Sequence, residues 1–170
     1  AFHPLHDDVS ARVLGRPVQP RPLTPLELAH VASGRSLVLA EPAEGLFGTV
    51  VMVRQSRVVP GAQIWGTIDV EYLWGVGARN TLPPRTELCV LDTDMEILIR
   101  STGVPRSLGD RVEAHVLESD QRWFEWRSDG RAYLAGLWRI PLKTPYLVDS
   151  WTVVLSEERE SIFLPAAGFK

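Results

Sequence analysis

Cysteine is almost missing from this chain: Cys89 is the single one in 170 residues. That rules out an intrachain disulfide and a thiolate zinc cluster. Its setting, Leu88-Cys89-Val90-Leu91, is the kind of apolar run that a buried strand carries. Long hydrophobic runs are missing too, since the longest, Gly48 to Val53, falls far short of the roughly 18 apolar residues a membrane-spanning helix needs. Strong charge of one sign is also lacking. The 18 basic and 21 acidic residues are interspersed and sum to a formal −3, which offers no footprint for a phosphate backbone and argues against nucleic acid as a partner. The chain opens on Ala1 without the basic, apolar and small-residue succession of a signal peptide, and its start reads as a cut inside a longer protein.

Several chemical motifs are absent as well. There is no Gly-x-Ser-x-Gly elbow for a nucleophilic serine, and His30 and His115 both fall in helix patterns. Gly75-Val-Gly77 lacks the third glycine and the preceding strand of a phosphate-cradling loop. His3, His6, Asp7 and Asp8 are four possible metal ligands within six residues, but no second cluster completes a site. They are expected to form the polar tip of a hairpin over Phe2 to Leu14, so neither metal nor cofactor is expected, and no catalytic residue.

Hydrophobic residues at 45% and charged residues at 23% describe an ordinary globular chain, long enough for one domain or two small lobes. Three prolines between Arg16 and Pro22 make an extended connector. Thr24-Pro25-Leu26-Glu27 is the clearest helix start, a capping box with proline at the first helical position. The helix should run from Pro25 to Ser33, stop at Gly34, and turn Leu26, Ala29 and Val31 toward the core. Ser36 to Ala40, Leu46 to Arg54 and Gln63 to Val70 read as three antiparallel strands, and Glu71 to Trp74 as a helical turn. Pro83-Pro84 blocks helix and ladder alike and marks the internal boundary.

A second unit begins at Thr86. Glu87 to Leu91 and Glu96 to Arg100 should form a hairpin, Ser107 to Ser119 a helix, and Arg122 to Arg127 with Arg131 to Ile140 a hairpin turned by Asp129-Gly130. Ser150 to Leu155 completes the set. Ser156 is expected to cap a closing helix whose first turn holds Glu157, Glu158 and Glu160 beside the amide dipoles. The fold class is therefore α+β, antiparallel sheets with helices on one face, in two tandem lobes.

Tryptophan is abundant: six in all, with Trp123, Trp126, Trp138 and Trp151 in strands of the second unit. Alternation puts Trp123 and Glu125 on one face of their strand, and Tyr133 and Arg139 together on one face of theirs. Trp123, Glu125, Tyr133 and Arg139 are the candidate ligand-binding residues of this reading, weighed against the plainer one of core plus solvated face.

The stretches Leu23 to Gly34, Gly66 to Gly75, Thr86 to Asp92, Phe124 to Trp126 and Ser150 to Glu158 together resemble the Cache-type (PAS-like) periplasmic sensor regions of bacterial membrane-bound diguanylate cyclases with a GGDEF output domain. The resemblance implies a membrane-distal lobe over 1–85, incomplete at its start, a membrane-proximal lobe over 86–156, and a segment 157–170 leading toward a membrane span. It further implies the periplasmic part of an inner-membrane protein, a homodimer responding to an unknown small-molecule ligand, and an output domain that makes cyclic di-GMP. A non-catalytic dimerisation or protein-interaction module of the same membrane protein is the alternative.

Overall fold

The first helix forms where its capping signals stand. In the computed structural model, which describes residue 18 and residues 20–42, 45–74, 82, 85–102, 104, 108–118 and 122–163, α1 spans Pro25–Ala32. The Glu27 amide donates to Thr24 Oγ1 at 3.3 Å and the Thr24 amide to Glu27 Oε2 at 2.7 Å, closing the box. Ser33 caps the other end and Gly34 turns the chain at φ 84°, a conformation that glycine adopts without strain. The buried residues of α1 are His30 and Val31, whereas Leu26 is 67% exposed and Ala29 is exposed too. The expected core face is thus rotated, because an imidazole nitrogen of His30 lies 3.0 Å from the Ser36 carbonyl and docks that edge of the helix. The hairpin expected over 2–14 lies outside the described residues, as do most of 75–85 and 164–170.

Three antiparallel strands follow: β1 (Leu37–Glu41), β2 (Thr49–Gln55) and β3 (Gln63–Ile68), in that spatial order. Val70 opens a short helix, α2 (Val70–Trp74), instead of ending the third strand. One face of this sheet packs Leu37 and Val53 against Val31 of α1. The other carries Val38 and Val50.

The second sheet has five strands, β4 (Thr86–Leu91), β5 (Ile97–Arg100), β6 (Trp123–Ser128), β7 (Arg131–Ile140) and β8 (Trp151–Glu158), ordered β5-β4-β8-β7-β6 and antiparallel throughout. The last strand therefore lies between the first and the fourth. The β6–β7 turn is the expected one, with Asp129 at φ 50° and Gly130 at φ 76°, the positive pair that matches hairpin twist. Helix α3 (Leu108–Glu118) covers one face, where Leu108 and Val112 meet Cys89, Leu91, Phe124, Trp126, Ala135 and Val154.

The opposite face of β4, β5 and β8 receives the first sheet. Leu88, Val90, Leu98, Ile99 and Trp151 form one cluster with Val38, Val50 and Val70, each such side chain contributing about 1.5–3 kcal/mol through burial. Main-chain bonds join the two layers as well, from the Gly48 amide to the Leu98 carbonyl at 2.7 Å and from the Arg100 amide to the Leu46 carbonyl at 2.8 Å.

One expectation is overturned at the C-terminal end. Ser156 caps no helix: it is 1% exposed within β8, opposite Glu87 and Ala135, and Glu157 and Glu158 end the same strand. A ladder on both sides, β4 and β7, holds the segment extended against its helix-start signals. The helix α5 begins only at Arg159 and runs to Phe163, with Glu160 in its first turn. A four-residue helix, α4 (Lys143–Tyr146), bridges β7 and β8.

Candidate functional site

Strand register divides the four candidate residues chosen from alternation. Trp123 sits opposite Gly136 and Glu125 opposite Leu134, on the face turned away from α3. Trp123 is 53% exposed, and Glu125 is exposed and bonded to Arg159 at 3.2 Å. Tyr133 sits opposite Trp126 and stacks on it at 4.7 Å, packed against the α3-side core, while Arg139, of the same parity as Tyr133, is exposed opposite Thr152. The structure does not bring the four together, because alternation fixes faces within a strand and only the inter-strand register relates one strand to the next.

Concave space lies elsewhere. A cleft of about 1110 Å³ opens where the first sheet meets the Asp92-Thr93 turn and the segment Leu147 to Asp149. Leu39, Val51 and Trp65 supply apolar wall from the first sheet, and Trp151 does so from the second. Behind Trp151 stands Trp74, with ring centroids 6.1 Å apart.

Local structure places each rim group. Asp92 Oδ1 accepts from the Asp94 and Glu96 amides, both at 2.9 Å, and so fixes the β4–β5 turn that reaches the cleft. Leu147 adopts φ 54° and ends α4 with its amide on the Lys143 carbonyl, which swings Val148 and Asp149 inward. Arg21 grips both oxygens of Glu27, at 2.6 and 3.0 Å, while Glu27 still accepts from Thr24. Those bonds, the guanidinium's first, hold the Glu27 carboxyl down at about 2.

The rim is acidic. Glu27, Glu41, Asp69, Asp92 and Asp149 line the cleft, against Arg21 as its cation among the described residues. Lys143 reaches Asp149 at 3.3 Å from outside. Acid thus outnumbers base around an apolar floor, an arrangement suited to an organic cation whose body lies on Trp65 and whose charge faces the carboxylates. Cys89 offers no nucleophile, since burial pushes its thiol up to about 12.

Neither a family model nor a curated protein matches the chain. Solved structures do. The ligand-binding domain of the Pseudomonas aeruginosa PAO1 amino acid chemoreceptor PctB, in complex with L-Arg, superposes with a TM-score of 0.53 at 13% identity over 89% of this chain and 64% of that one. The ligand-binding domain of the Pseudomonas fluorescens chemoreceptor CtaA, in complex with L-isoleucine, gives 0.51 at 13% identity over 85% and 63%. A protein described as methyl-accepting chemotaxis protein X gives 0.51 at 13% over 78% and 54%. The chain has the PAS/Cache-type sensor fold. It spans less than two thirds of the length of each of these neighbours.

The cleft acids were not singled out from the sequence because they come from separate segments and form no motif. A positional signal does exist: Glu41 closes β1, Asp69 follows β3 directly and Asp92 follows β4 directly. Carboxylates at successive strand ends gather at one rim, which becomes visible once strand order is known.

Proposed function

We propose that this chain is the extracytoplasmic ligand-sensing input region of a membrane-anchored signalling protein, and that the acidic cleft holds its ligand. The observation that carries the reading is the cleft itself, about 1110 Å³, walled by the first sheet and closed by the Asp92-Thr93 turn and Trp151 of the second, on a fold shared with ligand-binding domains of chemoreceptors. Those neighbours hold L-isoleucine and L-arginine; the acid-rich rim here favours a small ligand with a protonated amine. A ligand touching both sheets would favour one of their relative arrangements by its differential affinity, and α5, directly continuous with β8, would carry that shift onward.

The remaining parts of the reading rest on the sequence resemblance: a distal lobe over 1–85, a proximal lobe over 86–156, a segment 157–170 leading to the membrane of the cell envelope, a homodimer, and a diguanylate cyclase as output. The test is thermal unfolding against the L-amino acids and simple polyamines, followed by calorimetric titration of any hit. Saturation at a hundredfold Kd stabilises by about 2.7 kcal/mol, a clear rise in Tm. A flat profile across the panel would remove the ligand reading and leave a non-catalytic interaction module.

A further inference from the structure

The floor of the cleft is one face of the first sheet, and its character changes along the strands. Side chains two apart share a face, so strand register groups that face into successive rungs. Leu37, Val53 and Trp65 form the first rung, Leu39, Val51 and Thr67 the second, and Glu41 with Thr49 the third. Ile68 stands opposite Val50, which brings the next residue, Asp69, level with Thr49. Helix α1 covers the first rung, burying Leu37 and Val53 against Val31. The second rung is half-buried and the third is exposed, and both line the cleft beside Trp65.

The floor is therefore graded from apolar to acidic. Two residues advance a strand by about 7 Å and four by about 13 Å, so the acidic rung lies one such step from Leu39 and Val51 and two from Trp65. The Trp65 indole donates to Gln63 Oε1 at 3.1 Å, which satisfies its N–H and leaves the ring as apolar surface. At the other end, Glu41 forms no ion pair among the described residues. Arg21 is engaged already: its two arms hold both oxygens of Glu27, and one also donates to the Pro22 carbonyl at 2.9 Å.

We propose that the ligand class of the cleft is an arylalkyl primary amine without a carboxylate, with its ammonium at the Glu41–Thr49 rung and its ring over Leu39 and Val51 toward Trp65. The inference rests on the cleft being the ligand site and narrows what it takes. An ammonium at that rung meets Glu41 at the solvent edge, while the hydrocarbon part lies on half-buried leucine and valine and gains by burial. An amino acid would bring its carboxylate within a few ångströms of Glu41, where like charges repel, and would have to part Arg21 from Glu27 to find a guanidinium. A polyamine long enough to follow the strands would set its second charge on the apolar rung, where desolvation is costly.

Calorimetric titration with four compounds tests the class. Phenethylamine has the amine and the ring, L-phenylalanine adds a carboxylate, hydrocinnamate keeps the ring without an amine, and putrescine has two amines and no ring. Phenethylamine should bind at least about tenfold tighter than each of the other three. Glu41→Gln should weaken phenethylamine about fivefold and keep the Tm of the unliganded wild type, since the side chain is exposed. Equal or tighter binding of any of the other three, or unchanged affinity in Glu41→Gln, would overturn the class and leave the cleft a ligand site. Silence from all four overturns the class as well, and the wider series of L-amino acids and polyamines then decides whether the cleft binds at all.

Discussion

Trp126 Nε1 donates to Ser156 Oγ at 2.8 Å inside the core of the second sheet. Ser156 is 1% exposed and Trp126 7% exposed, so no water replaces either partner. Ser156→Ala strands the indole N–H in an apolar setting, and urea denaturation should show a loss of about 1–3 kcal/mol. Ser156→Asp makes the stronger test. At a helix cap aspartate is as good as serine, whereas here a carboxylate would be buried beside an indole, and the variant should be far less stable than the alanine one.

The Arg21–Glu27 pair gives α1 an acid-sensitive anchor. Glu27 titrates at about 2 in the fold against an ordinary 4.5. Its stabilisation is therefore complete above pH 4.5 and drains away as pH falls toward 2. Arg21 is half in solvent, with 47% of its side chain exposed, which limits the effect to roughly 1 kcal/mol. Glu27→Gln should be less stable than wild type at neutral pH, and the gap should close at the acid end of a pH series of denaturation curves.

Strand positions in both sheets followed from short β-rich runs bounded by turn residues, and the hairpin at Asp129-Gly130 from a two-residue signal with one structural solution. What local pattern could not supply was the partner of each strand. Ser156 to Glu158 has the composition of a helix start, yet β4 and β7 flank it in space and hold it as strand. Tyr133 and Trp123 share a hairpin but face opposite ways once the register is fixed. The cleft was hidden for the same reason, since Glu41 and Asp69 come together only through the strand order of the first sheet, and Asp92 and Asp149 join them from the second.

Gly109 lies in the first turn of α3, where helix propensity favours alanine by about 1 kcal/mol. Contact reverses that sign. A Cβ there would stand 2.8 Å from the Met95 carbonyl oxygen, a main-chain atom in a turn tied down by Asp92, with Met95 itself at φ 61°. Gly109→Ala should therefore destabilise by about 1–3 kcal/mol, measured as a lower midpoint in urea with an unchanged slope. A stabilised variant would mean that the 92–96 turn yields more readily than its hydrogen bonds imply.

The cleft and the aromatic face of β6 make opposite predictions for ligand binding. Asp69 follows β3 at the rim and is exposed, so its charge acts on a bound cation through solvent-screened space, where such an interaction is worth about 1 kcal/mol. Asp69→Asn should weaken a cationic ligand several-fold, and the difference should shrink as ionic strength rises and the Debye length falls toward about 3 Å at molar salt. Trp123→Ala and Glu125→Gln remove groups on edge strand β6, on its face turned away from α3 and outside the cleft lining, and should leave affinity as it is. Calorimetry on the three variants at low and high salt decides between the sites: loss with Trp123→Ala and none with Asp69→Asn would move the ligand to the second sheet.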